Sequence, residues 1–423
     1  MTPEHTPPAA DHPHRAALVE ELHARPYPSV TAPATAWFVA LRPERRSDRD
    51  RAAERAQLDR LIAGACLALP DKGATHWHGR LGPLHVKWES HNEFVTYLVW
   101  GATEAEVLAL SQDILRDAPG LRIASARFRI QPMHDAEQVN AVLLADHSSD
   151  SLAVARVLDG QAVIAGDFCP DPAGDMRFSV LVREGVGPKR IGRTVQRLCE
   201  IETYRAMAML GWVRAGEMGP QLTETGARLS VAVGRLGEGT ADAEATLQEL
   251  LDISAGLERL SARASFRMSA TMAYERIVTS RIDALREERF EGRQTFGEFM
   301  LRRFDPAMRT VEATERRLTR LTERARRAGE LLRTRVEVEL SRQNRALLVS
   351  MDRRSDEALR LQHTVEGLSV VAISYYATGL ALYVAAPFAG EAGIEKGWLA
   401  ALTTPVVVLA VWAGLRAIRR RLH

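Results

Sequence analysis

Gly367 to Phe388 reads GLSVVAISYYATGLALYVAAPF, 22 residues without a charge. As a helix rising 1.5 Å per residue it is ~33 Å long, enough to cross a hydrocarbon core of ~30 Å. Pro387 stands where such a helix can stop. A polar link carrying Glu391, Glu395 and Lys396 follows, then a second apolar run from Gly397 to Leu415 with Trp398 and Trp412 near its ends. Aromatic residues favour those interfacial positions. Arg353, Arg354 and Arg360 precede the pair, Arg416, Arg419, Arg420 and Arg421 follow it, and the link has one Lys. Basic flanks stay on the cytosolic side. The expectation is a two-span hairpin (367–388 and 397–415) in the inner (cytoplasmic) membrane, both termini cytosolic, with the lipid bilayer as its first partner.

Within the first span, Gly367, Ser374 and Thr378 follow one another at helical spacing, while Ala377, Ala381 and Ala385 recur every four residues on a nearby face. Small residues in such stripes let helices approach closely. They are candidates for helix packing, or for the lining of a pore with Glu391 and Glu395 as an acidic mouth.

Upstream, from Pro188 to Val365, the pattern is helical nearly throughout. Apolar residues recur at Ile191, Val195, Leu198, Ile201 and Met207, then at Leu247, Leu250, Leu251, Leu257 and Leu260. Gly219-Pro220 is expected to kink or restart the first helix, and the turn at Gly237 and Gly239 to end it, with Thr240 capping the next. Thr295 with Glu298 three residues on forms a capping box, and Asp305-Pro306 marks a further kink or start. Met308, Val311, Leu318, Leu321, Ala325, Leu332, Val336, Leu340, Leu347 and Met351 then continue an apolar stripe with no breaker before Pro387. Running on into the span, this helix would be on the order of 120 Å long. Its stripe needs partners, from the earlier helices or from a second copy. The heptads, interrupted at Thr322 and Gly329, read as coiled-coil-like.

Before Pro188 the pattern changes to short strands (36–41, 75–81, 84–89, 93–100, 122–130, 152–157, 162–168 and 177–183) with helices at 47–69 and 103–116. Short connections favour a mixed or antiparallel sheet covered by helices. The whole chain therefore reads as an α+β domain, then long antiparallel coiled-coil-like helices, then a transmembrane hairpin. The divisions are a disordered 1–11, a cytosolic α+β domain at 12–184, a helical stalk at 185–365, and the hairpin with its basic tail at 366–423.

The chemistry is sparse. With 56 basic against 54 acidic residues the net charge is +2, which argues against a nucleic-acid partner. Cys66, Cys169 and Cys199 form no C-x-x-C pair and suit a reducing compartment. The first fifteen residues hold no apolar run, so no secretory signal is expected there. His76 and His78, alternate residues of a strand, share a face and with His85 and His91 are candidate metal ligands. Glu21, His23 and Arg25, and Lys87, Glu89 and His91, are polar head motifs suited to acid–base work or to a buried network. No phosphate loop, dinucleotide fingerprint, nucleophile elbow or zinc-protease motif occurs, so no cofactor and no catalytic residue is expected.

The segments HPHRAALVEELHARPYP (12–28), KWESHNEFVTYL (87–98), CEIETYRAMAML (199–210), LREERFEGRQTFGEF (285–299), QNRALLVSMDRR (343–354) and LQHTVEGLSVVAISYY (361–376) resemble those of a bacterial family of membrane-anchored proteins, the domain of unknown function 3422. That resemblance covers essentially the whole chain and implies membrane anchoring but no activity. In layout alone the chain is similar to CorA-type divalent-cation channels. Where those carry Gly-Met-Asn, this chain reads Tyr383-Val-Ala-Ala-Pro-Phe388. The leading expectation is a non-enzymatic, homo-oligomeric scaffold or sensor with an unknown protein or ion partner. A CorA-like channel or transporter is the alternative.

Overall fold

The structure, a computed structural model, describes residues 11–15, 19, 26–64, 68–71, 73–238, 243–391 and 396–422. At 236–238, 243, 387–391, 396 and 418–422 it describes the backbone alone. The chain divides into two compact units, Met1–Ala328 and Gly329–His423.

The first unit is built on a nine-stranded sheet: β1 (Ala34–Arg42), β2 (His76–Leu81), β3 (Leu84–Ser90), β4 (Val95–Gly101), β5 (Leu121–Pro132), β6 (Ala153–Val157), β7 (Ala162–Pro170), β8 (Met176–Val182) and β9 (Glu288–Arg289), in the order β2-β3-β4-β1-β5-β8-β7-β6-β9. Every described pairing is antiparallel except β5 with β8, which run parallel. Both faces are covered, because the strands alternate apolar residues on both sides. Trp37, Val39 and Leu41 of β1 pack with Val86, Trp88, Tyr97 and Val99 beneath α1 (Arg51–Ala63) and α2 (Glu104–Arg116). Ala36, Phe38 and Ala40, pointing the opposite way, are equally buried. Against β5 and β8 lies α4 (Pro188–Glu238), while α3 (Ala136–Asp146) lies against β8 and closes a smaller core with Leu143, Val163 and Leu181.

Two long helices, α4 and α5 (Ala243–Leu285), pack extensively on each other. Arg197 donates to the Ala284 carbonyl, Arg281 pairs with Glu200, and Tyr204 stacks on Tyr274 at 5.5 Å. At Gly211 they approach closely: a Cβ there would lie 2.1 Å from Thr271 Oγ1. The kink or restart expected at Gly219-Pro220 does not divide α4, which continues through Pro220. Met218 and Leu222, fully buried on either side, show packing outweighing the lost backbone hydrogen bond. The expected turn at Gly239 and cap at Thr240 lie outside the described residues.

Thr295 and Glu298 form the expected reciprocal capping box at the start of α6 (Phe296–Arg303). Then α7 begins at Asp305 and runs to Glu391, so that its residues belong to both units. The last helix is α8 (Lys396–Leu422). Both α7 and α8 carry a stretch long and apolar enough to cross a membrane.

Candidate functional site

In the first unit several buried polar side chains act as fastenings between sheet and helices. Glu93, in the β3–β4 turn and 3% exposed, accepts from Tyr274 Oη at 2.7 Å and pairs with Arg267 of α5. Burial and that carboxylate push the Tyr274 phenol above its ordinary pKa. Arg49 grips Glu54 with two 2.8 Å bonds and also donates to Ser90 Oγ and to the carbonyls of His91 and Phe94. Lys87 lies 3.2 Å from Glu89 and donates to Gln196 of α4 at 2.9 Å. The head motif Lys87, Glu89, His91 is thus part of a network joining sheet to helices.

The candidate histidines sit apart from any ligand set. His76 and His78 on β2 pair across to Glu89 and Lys87 of β3. His85 stacks on Trp100 at 5.1 Å and His91 on Phe94 at 4.5 Å. Among the described residues no three His, Cys, Asp or Glu side chains gather as they would around a metal. Glu21, His23 and Arg25 lie outside the described residues.

A polar site not apparent in the sequence lies where β5, β8 and the end of α3 meet. The parallel register sets Arg127 beside Arg177 and Arg129 beside Ser179 on one face, and Phe128 beside Phe178 on the other. The matching pattern Arg-Phe-Arg (127–129) and Arg-Phe-Ser (177–179) was the available signal. A cavity of about 150 Å³ opens there, lined by Glu104, Arg127, Arg129, Asp146, His147, Arg177 and Ser179 among others. His147 Nε2 is 2.8 Å from Ser179 Oγ, and its Nδ1 is 4.0 Å from Asp167 Oδ2. This is the atom order of a Ser-His-Asp triad. However, the Asp167 carboxylate already accepts from the backbones of Ser148 and Cys169 and from Arg177 Nη2 at 2.7 Å. Ser179 is 1% exposed. Burial lowers the His147 pKa against the pull of Asp167 and Asp146. Of the residues that line this cavity, Arg127 and Arg177 each bury an Nε–H, and His147 its Nδ1, without a hydrogen-bond partner.

The second unit holds a groove of about 880 Å³ between α7 and α8, lined by Val370, Ser374, Thr378, Leu382, Thr404 and Val408 among others. Ser374 is 5% exposed, and Ser374 Oγ and Thr378 Oγ1 are buried without partners. Neighbouring hydroxyls on these helices behave differently: Ser369 donates to Val365 O and Thr404 to Ala400 O. Ala377, Ala381 and Ala385 are half-buried, and Gly367 is exposed. The side chains of Glu391 and Glu395 lie outside the described residues.

A family model described as "Protein of unknown function (DUF3422)" matches residues 10–422. No curated protein matches the chain.

Proposed function

Since the chain belongs to the DUF3422 family of unknown function, we propose from its own residues that it is a membrane-anchored, homo-oligomeric scaffold or sensor with a non-enzymatic head. The observation that carries this reading is the succession of two apolar helices of membrane-crossing length after a folded, sheet-based unit. The basic flanks on both sides of the helix pair support insertion in the inner membrane with both termini cytosolic. The α4–α5 pair is read as an antiparallel, coiled-coil-like brace. Its support is that contacts run Arg197 to Ala284, Glu200 to Arg281 and Arg235 to Glu249, one number rising as the other falls.

The head's ligand site is the His147 cavity. Its volume admits only a few heavy atoms, and the two unpartnered Nε–H donors of Arg127 and Arg177 favour a small molecule rich in acceptors. A nucleophilic role for Ser179 is disfavoured, because Asp167 is already satisfied and the hydroxyl is enclosed. Carbonate extraction of membranes tests the anchor: retention in the pellet is expected, and release would remove the reading. Robust substrate turnover by the protein, lost on changing His23 or Glu89, would overturn its non-enzymatic part.

The CorA-like channel is a second reading, favoured by the two unpartnered hydroxyls at Ser374 and Thr378. In liposomes it requires flux of some divalent cation that falls in the Ser374→Ala/Thr378→Ala double variant. Silence across a panel of divalent cations rejects it.

A further inference from the structure

Helix α7 changes character along its length. Val311, Leu318, Ala325 and Leu332 recur every seven residues and are buried, with Met308 three residues before the first. Leu321 approaches Gly226, and Arg324 donates to Ser230, both on α4, so this seam is covered from within the chain. The next seventh residue would be Glu339, and continuing that frame gives Ala346, Arg353 and Arg360. Instead the apolar positions slip by one residue, ~100° around a helix.

The second frame is long. Leu340, Leu347, Leu361, Leu368 and Tyr375 fall on one set of sevenths, with Arg354 its one charge. Asn344, Met351, Ala358, Val365 and Ala372 fall on the set four residues later. This alternation of three and four is the a/d spacing of a coiled coil, with Asn344 at an a position. Leu340, Leu347, Met351, Leu361, Val365, Leu368 and Tyr375 are 54 to 76% exposed, so nothing described in this chain covers them. Ser374 and Thr378, which line the groove facing α8, belong to neither set, while Tyr375 at the end of the first set also borders that groove.

We propose that this second seam, Leu340 to Tyr375, is where a second copy of the chain packs in parallel and in register. The proposal rests on the membrane-anchored, oligomeric reading and specifies its interface. Two features identify the occupant. A sustained heptad needs an equally long helical partner with the same repeat. The seam also passes without a break from an Arg-rich segment into the uncharged span, so its partner must leave water at the same residue, as another α7 does and a lipid does not. Copies inserted by one topology lie parallel and at one depth, so each position meets itself. An Asn pair at position 344 then favours this register over slipped ones. Arg354 weakens the seam locally, its stem packing while its charge reaches for water.

The test is oxidative cross-linking of the full-length protein in membranes, with single added cysteines read against the parent and its three native cysteines, beside light scattering in detergent. Leu347→Cys and Met351→Cys should form disulfide-linked dimers at least about tenfold faster than Val349→Cys, which lies on the opposite face. Arg354→Leu should raise the oligomeric fraction. Equal cross-linking at Val349, or an oligomeric mass without seam cross-links, overturns the seam while leaving the oligomeric scaffold standing. A monomeric mass with no cross-links removes both.

Discussion

The two halves of α7 carry the same kind of heptad and meet opposite fates. Between Met308 and Ala325 the apolar stripe is buried inside the first unit, and Leu332 just beyond is buried too; between Leu340 and Tyr375 the stripe is bare. Periodicity reports that a helix has a face to cover, not what covers it. The one-residue slip falls between Leu332 and Leu340, just past the division between units at Ala328 and Gly329, and the second frame carries Asn344 and Arg354.

Breaking the covered half should have the largest effect. Leu318→Asp places an unpaired charge among buried side chains and should cost about 4 kcal/mol or more, seen as loss of the cooperative melting of the first unit. An unchanged transition would show that the upstream seam is not packed. Glu93→Ala tests the fastening of the sheet to the same helical body. It leaves Arg267 and Tyr274 without their buried acceptor and should cost about 3 kcal/mol in chemical denaturation. Glu93→Gln, which still accepts from Tyr274, should cost less.

Leu347→Ala sharpens the comparison from the other side. The first unit's melting should move by less than about 0.5 kcal/mol, while subunit association weakens by about tenfold or more in sedimentation. If melting falls as far as for Leu318→Asp, the two halves are equivalent and the contrast fails.

The smallest effect is a pH dependence confined to the head. The folded pKa of His147 lies below its unfolded value of ~6.5, so the unfolded chain takes the proton first. The corresponding stability is full above pH ~6.5 and declines as pH falls toward the folded value. Asp167 and Asp146 moderate that slope, Arg177 and Arg129 add to it, and Ser179 holds Nε2. Thermal melts should show a shallower acid slope for His147→Gln. An identical slope would place the titrating group elsewhere.

Much of this architecture was legible locally. The capping box at Thr295 and Glu298, the start of α7 at Asp305, and the apolar stretches of α7 and α8 are each written within a few neighbouring residues. What escaped was α3, where only Val139 and Leu143 of eleven residues are buried, too few for a visible stripe. The His147 cavity escaped for a different reason. Its walls come from residues 35 to 179, joined by a parallel β5–β8 pairing that sets Arg129 beside Ser179, fifty positions away. The continuity of α4 through Pro220 likewise depended on α4's buried neighbours rather than on its own propensity.

The sequence by itself determined the elements whose cause is local: charge-free length, capping pairs, periodic stripes and basic flanks. Only the tertiary structure decided which stripe finds cover, which polar groups become fastenings, and which donors stay unpaired. Those outcomes depend on distances between residues far apart in the chain, and the free energy of covering a face or satisfying a buried donor exists only once that partner is in place.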